Sequence, residues 1–344
     1  KLGKVNKEKL ELNQFQLTAI DEYVGEIDQN EQIIELQEKI ARLQNFKEIK
    51  QTPLPTNTKA VLRDYQINGY HWLRFLHEYG WGGCLADDMG LGKTVQVLTF
   101  LQSLINENKQ FKALVVVPTS LIFNWENEIL KFTPTIKYLL HSGMERTRTT
   151  NDFSQFQLII TSYGLLRRDL EMFKSYEFDY VILDESQAIK NPLSQISRGV
   201  RLLKTKNRLV MTGTPVENST FDLYAQLDFS NPGMLGSLEN FKTNFAYKID
   251  KEQDEETAAK LRKIIYPIVL NRKKEVVATE LPEKTEIILF CEMDVIQRKI
   301  YETYKVKIKE EIREAIDEQG LNKAGLHILR GLTKLRQLCN HPAL

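Results

Sequence analysis

The sequence predicts a three-layer α/β domain around a parallel sheet, with helical extensions at both ends, and three observations lead there. Five apolar runs, at 82–86, 113–117, 158–161, 180–183 and 208–211, are continuous rather than alternating, as in strands buried on both faces of a parallel sheet. Helical patterns at 94–106 and 121–132 fall between them, so the order is β, α, β, α and calls for right-handed crossovers. Toward both ends the strand runs give way to charged sequence with helical spacing.

Taken in order, residues 1–52 are rich in Glu, Lys and Gln, and Ile33, Leu36, Ile40 and Leu43 recur at spacings of three and four. That spacing predicts an amphipathic helix packed on the domain behind it or on an upstream region. Pro53 and Pro55 disfavour helix and mark a boundary. The α/β lobe is expected over 53–230. Residues 231–344 read as a helical protrusion and linker, with helices over 294–318 and 326–338 and further short strands at 267–270 and 285–291.

Composition narrows the function classes. Lys and Arg total 47 against 46 Asp and Glu, so any nucleic-acid surface must be local rather than a property of the whole chain. No apolar run approaches the roughly 18 to 20 residues that span a bilayer, and the charged start is unlike a signal peptide. An intracellular protein without a membrane partner is expected. Cys84, Cys291 and Cys339 form no CxxC pair and supply neither a disulfide framework nor a four-cysteine zinc site; Cys84, in an apolar run, reads as core.

The first chemical signal is Asp87-Asp88-Met89-Gly90-Leu91-Gly92-Lys93-Thr94, set directly after a strand and before a helix. It matches the latter part of a Walker A loop, with Asp87 where the first glycine usually stands. Gly90 and Gly92 let backbone N–H groups turn toward phosphate oxygens, and the following helix offers its positive end. Lys93 is expected on the β and γ phosphates of ATP and the Thr94 hydroxyl on Mg2+. Taken alone, Gly-Lys-Thr recurs by chance, and the glycines could serve an ordinary turn with Lys93 on a solvated face.

The second signal is the apolar strand 180–183 running into Asp184-Glu185. In open parallel sheets the ligand crevice lies at the carboxyl ends of the strands, which puts Asp184 beside the loop that holds Lys93. Asp184 suits an outer-shell magnesium ligand, and Glu185 the group that orients and deprotonates attacking water. The bland alternative is an acidic pair opening a solvated turn.

With these residues on the page, the chain resembles the Swi/Snf family of helicase-like, DNA-translocating ATPases of helicase superfamily two. The likeness begins at Leu62-Arg63-Asp64-Tyr65-Gln66, which is similar to the family's Q motif. It continues through 87–94, Val117-Pro118-Thr119-Ser120-Leu121, Asn124-Trp125-Glu126, Asp184-Glu185-Ser186-Gln187 and Thr212-Gly213-Thr214-Pro215. Leu270-Asn271-Arg272-Lys273-Lys274, Leu281-Pro282-Glu283-Lys284 and the terminal 335–342 extend it from about residue 60 to the end.

The resemblance implies a first RecA-like lobe in which Gln66 contacts adenine and residues 88–94 hold the nucleotide. It also implies that Thr212 and Thr214 relay nucleotide state, with Gln187 in a coupling role. Pro118, Thr119 and Ser120, with Thr161, Ser162 and Tyr163, would face the backbone of double-stranded DNA, giving salt-dependent binding with little sequence preference. Thr161-Ser162-Tyr163 could instead end a strand in a turn; Trp125 suits a helix anchor, and the basic pairs Arg167-Arg168 and Arg272-Lys273-Lys274 suit solvated faces. Gln187 stands where the family commonly has His, keeping hydrogen bonding but losing a titratable ring.

On this reading the reaction is ATP hydrolysis that drives movement along DNA and remodels a nucleoprotein target. An arginine would come from a second RecA-like lobe, so the chain alone should turn over slowly. The expected compartment is the bacterial cytoplasm at the nucleoid, or the nucleus in a eukaryote. A DEAD-box-like RNA helicase lobe and a non-catalytic nucleotide-binding docking module are the alternatives.

Overall fold

The computed structural model describes residues 4–6, 9–11, 49–144, 146–147, 149–213, 220–277, 287–320 and 324–341. They fall into two units, Lys1–Leu281 and Pro282–Leu344. Near the start, β1 (Lys4–Asn6) pairs antiparallel with β2 (Lys9–Glu11), whereas the helical spacing at 33–43 lies outside the described residues.

The first unit is built on seven parallel strands: β3 (Gly83–Leu85), β4 (Ala113–Val117), β5 (Tyr138–His141), β6 (Leu158–Ser162), β7 (Glu177–Leu183), β8 (Lys204–Met211) and β9 (Val269–Leu270). Their order across the sheet is β5-β6-β4-β7-β8-β3-β9. This is the expected α/β lobe of RecA-like type. The reason is visible in the central strands: every residue of Ala113–Val117 and of Leu158–Ser162 is buried, since helices cover both faces and leave no polar side to alternate with. Phe100 and Tyr180 meet edge to face at 5.5 Å between the sheet and its covering helix.

Register sets the site. Leu183 lies opposite Val210 and Met211 opposite Leu85, so residues 86, 184 and 212 emerge together at the carboxyl end of the sheet. Helices α1 (Asp64–Glu78), α2 (Lys93–Glu107) and α3 (Ile122–Phe132) carry the neighbouring motifs, and α3 follows a 3-10 turn at Thr119–Leu121.

One strand was not expected, and one expected strand pairs in an unexpected place. Residues Tyr138–His141 form an edge strand without a strand signal in the sequence, because three of its four residues are only half-buried and its apolar run is short. Val269–Leu270 lies within the short strand expected at 267–270, yet it pairs with β3 as the opposite edge of the main sheet rather than standing in a separate protrusion, and the first unit continues to Leu281.

In the second unit α4 (Val295–Gln319) and α5 (Gly325–Asn340) form a helical hairpin. Gln297 near the start of α4 donates to the carbonyls of Leu338 and Cys339 at the end of α5, at 2.8 and 3.0 Å. The helices approach so closely that a Cβ on Gly331 would lie 2.4 Å from Cγ2 of Ile308. Residues 287–291 carry no regular structure where part of a strand was expected. Among the described residues no helix is long and apolar enough to cross a membrane.

Candidate nucleotide site

The loop between β3 and α2 turns on two glycines in the left-handed region, Gly90 at φ 87° and Gly92 at φ 74°. At Gly92 space is decisive as well, for a Cβ there would lie 2.5 Å from Nε2 of Gln66. No side chain caps the first turn of α2, so its leading N–H groups are presented at the loop. Lys93 is buried and folds back along the loop, its ammonium donating to the carbonyl of Asp87 at 2.7 Å and of Asp88 at 3.4 Å. Thr94 beside it is half-buried, and Leu91 is core.

Gln66 lies against this loop rather than free in the cleft. Its Nε2 donates to the carbonyl of Leu91 at 3.1 Å, and its Oε1 accepts the N–H of Arg63 at 2.9 Å, closing the first turn of α1. A cavity of about 530 Å³ opens between Arg63, Gln66, Gly90, Gly92, Phe132 and Lys274. Glu128, on its wall, has its carboxyl pushed up by burial and by the charge of Asp184.

Across β8, the acidic end of β7 is tightly built. Asp184 accepts the indole N–H of Trp125 on Oδ2 at 2.8 Å and the N–H of Glu185 on Oδ1 at 2.9 Å. Burial pushes its carboxyl upward, the Trp125 hydrogen bond opposes this, and the charge of Glu185 adds to it. Trp125 is thus a buried anchor, as expected, and also the tether of the carboxylate, a role its apolar helix face did not reveal. Glu185 adopts φ 46°, an uncommon backbone for a non-glycine residue that turns the chain abruptly out of the strand. Gln187 donates to Glu185 Oε2 at 2.8 Å and accepts from Thr212 Oγ1 at 3.4 Å. A side-chain bridge therefore runs from the acidic pair to the end of β8; Thr214 lies outside the described residues.

Several expected site residues sit differently. Asp88 is engaged by the chain rather than free for a ligand, its Oδ2 accepting the N–H of Lys274 at 2.7 Å, while Met89 is exposed. Of the residues expected along DNA, Thr119 and Ser120 are exposed and Pro118 half-buried. Thr161, Ser162 and Tyr163 instead turn their side chains inward: Thr161 donates to the carbonyl of His141, Ser162 caps the following short helix, and Tyr163 donates to the carbonyl of Asp184 at 2.8 Å. The reason is that β6 is an interior strand whose end is enclosed by that helix, so these hydroxyls are internal partners rather than a surface. Arg167 and Arg168 are exposed.

Arg272 lies in a basic run that suits a solvated face, yet its side chain is only 12% exposed and pairs with the fully buried Asp87. Nε donates to Asp87 Oδ1 at 2.8 Å and Nη2 to Gln96 Oε1 at 2.8 Å, while Nη1 bonds the carbonyl of Tyr65. Asp87 replacing a loop glycine was the only hint in the sequence. Cys84 is core, as expected, with its thiol pushed by burial up to about 12.

A glycine-rich loop of Walker A pattern after β3, an acidic pair at the end of β7 and a polar bridge from that pair to the end of β8, on a RecA-like sheet, are the arrangement of a P-loop lobe. The description SNF2-related domain matches residues 65–344, and the chain belongs to that family. It is 36% identical, over 93% of its length, to YwqA of Bacillus subtilis, provisionally named an ATP-dependent helicase/translocase. It is 33% identical, over 89%, to the TATA-binding protein-associated factor MOT1 of Saccharomyces cerevisiae. The Sulfolobus solfataricus SWI2/SNF2 ATPase core in complex with double-stranded DNA superimposes with a TM-score of 0.63 at 38% identity, covering 86% of this chain. The chain spans 34% of YwqA, 18% of MOT1 and 61% of the Sulfolobus core.

Proposed function

We propose that this chain is the ATP-binding lobe of a DNA-dependent ATPase that moves along double-stranded DNA and remodels a nucleoprotein target. One observation carries the reading: the loop from β3 to Lys93 and the acidic pair after β7 leave the sheet at the same carboxyl end on either side of β8, and Gln187 spans from the acidic pair to Thr212 just after β8. Family membership and the DNA-bound Sulfolobus neighbour favour DNA over the RNA substrate of a DEAD-box lobe.

The donors fit Mg2+, a hard cation that takes oxygen ligands and keeps several waters. Thr94 and Asp184 are the oxygen donors, and Asp184 has no ion pair among the described residues. When bound, the metal would neutralise charge on the β and γ phosphates. The chain's own residues do the rest. Lys93 would exchange its carbonyl partners for phosphate oxygens, and the N–H groups of residues 90–94 would cradle the polyphosphate. Gln66 would exchange its bonds to Leu91 and Arg63 to read adenine with its amide.

Glu185 would orient the attacking water and take its proton, held meanwhile through Oε2 by Gln187. Because Gln187 also meets Thr212, a change at Glu185 on hydrolysis would be felt at the end of β8. Thr119 and Ser120, with backbone amides near them, would hold the phosphodiester strand through sequence-independent contacts. An arginine from a second RecA-like lobe would supply a factor of about 10³ to 10⁵ in rate. DNA as the partner implies the bacterial nucleoid, or the nucleus in a eukaryote.

Lys93→Ala should abolish binding of a fluorescent nucleotide to this chain, and undiminished affinity would refute the site. In the two-lobed protein Glu185→Gln should stop turnover while sparing ATP binding. Indifference of every activity to that change would favour docking, and stimulation by duplex RNA rather than duplex DNA would favour an RNA helicase.

A further inference from the structure

The leading limb of the phosphate loop is held from behind by a segment almost two hundred residues away. Beyond the two-residue strand β9 the parallel ladder continues: Cys84, Ala86 and Asp88 donate their N–H groups to the carbonyls of Ile268, Leu270 and Arg272, at 2.8, 2.7 and 3.1 Å. Both carboxylates of the limb then close on the same segment. Asp87 takes the Arg272 guanidinium and Asp88 accepts the N–H of Lys274.

The guanidinium also joins the other nucleotide elements. It reaches the carbonyl of Tyr65, next to Gln66, lies over the Tyr65 ring at 5.4 Å, and donates to Gln96. Gln96 in turn donates to the carbonyl of Gly92 at 3.2 Å on the trailing limb. The chain has kept room for this cluster in α1, where a Cβ on Gly69 would fall 1.9 Å from Gln96 Oε1 and 2.9 Å from Arg272 Nη2. Most telling is the resting place of Lys93: its ammonium sits on the carbonyls of Asp87 and Asp88, the two residues that the segment grips.

We propose that Arg272 is a positioning residue of the nucleotide site: it holds both limbs of the phosphate loop in register, so that Lys93 and the loop N–H groups meet the polyphosphate together. By linkage, bound nucleotide tightens residues 271–277 in return. A planar fork meeting carboxylate, amide and carbonyl at fixed angles cannot be replaced by a point charge, so lysine at 272 keeps the charge and loses the geometry. The inference rests on the nucleotide reading above.

The test is titration of the intact chain with fluorescent ADP and Mg2+, for wild type, Arg272→Lys, Gly69→Ala, Lys93→Ala and Arg146→Lys, with thermal melts of each. Arg146 makes a comparable fork to Asp169, at 2.7 and 3.1 Å, beside β5 at the far edge of the sheet. Folded Arg272→Lys and Gly69→Ala should each lose between about tenfold and a hundredfold in affinity, and Arg146→Lys none. Wild-type affinity in folded Arg272→Lys would overturn the proposal and leave the nucleotide site standing. If Arg272→Lys does not fold, hydrogen exchange of the wild type decides: protection of amides 271–277 must rise on adding Mg-ADP, and unchanged exchange overturns the proposal. Absence of wild-type binding, or equal binding by Lys93→Ala, would bring down the nucleotide reading and this inference with it.

Discussion

Two buried aspartates, at the ends of strands only one strand apart, have opposite surroundings. Asp87, after β3, has no exposed side-chain surface and is met by a guanidinium. Asp184, after β7, is nearly as buried but is met by two neutral N–H donors, those of Trp125 and Glu185. A buried carboxylate paired with a cation is electrically complete and belongs to the framework. One that is held only by neutral donors keeps its negative charge available, and burial accordingly pushes its carboxyl upward. The pair teaches that similar acidic residues beside one glycine-rich loop can differ, one closed into the framework and the other left with its charge open, by what stands opposite them.

The sharpest way to break this contrast is truncation. Asp87→Ala strands the Arg272 guanidinium and should cost about 3–5 kcal/mol in urea unfolding. Asp184→Ala leaves only neutral donors without an acceptor and should cost about 1–3 kcal/mol. Equal losses would erase the distinction. A smaller effect is expected from Trp125→Phe, which keeps the packing and removes the tether on Oδ2. Stability should fall by about 1 kcal/mol, and the Mg2+ concentration needed for nucleotide binding should rise, with no rise arguing that Asp184 needs no such support.

The smallest effect is in pH dependence. The carboxyl of Asp184 is raised above its ordinary value of 3.8, so the folded chain holds this proton more tightly than the unfolded chain. Its contribution to stability is therefore full below 3.8 and lost as pH rises through the folded-state value. Relative to Asp184→Asn, the wild type without nucleotide should lose melting temperature on going upward through that window. Mg-nucleotide should cancel the difference, and a wild type that instead gained stability over that range would show that Asp184 is already compensated.

Legibility in the sequence followed burial. Runs such as Ala113–Val117 are apolar at every position because both faces are covered, and that pattern is local. The phosphate loop and Asp184-Glu185 were legible for a similar reason: left-handed glycines, an ammonium and a carboxylate at a strand end are chemical needs met within a few residues. Half-buried Tyr138–His141 carried too little of the pattern to be noticed. Thr161, Ser162 and Tyr163 look like surface hydroxyls in a list of residues, and nothing within the strand shows that a helix encloses them.

The amino-acid order alone thus established a parallel-sheet lobe, and pointed to residues 87–94 and to Asp184-Glu185 as its candidate site. It could not assign Arg272 to Asp87, Trp125 to Asp184 or residues 269–270 to the sheet edge. Those pairings join segments 185 and 59 positions apart in the first two cases, and a charged or indole side chain carries no local mark of its distant partner. Strand register, which brings residues 86, 184 and 212 to the carboxyl end of the sheet together, is settled when the whole sheet assembles and excludes water from between its layers.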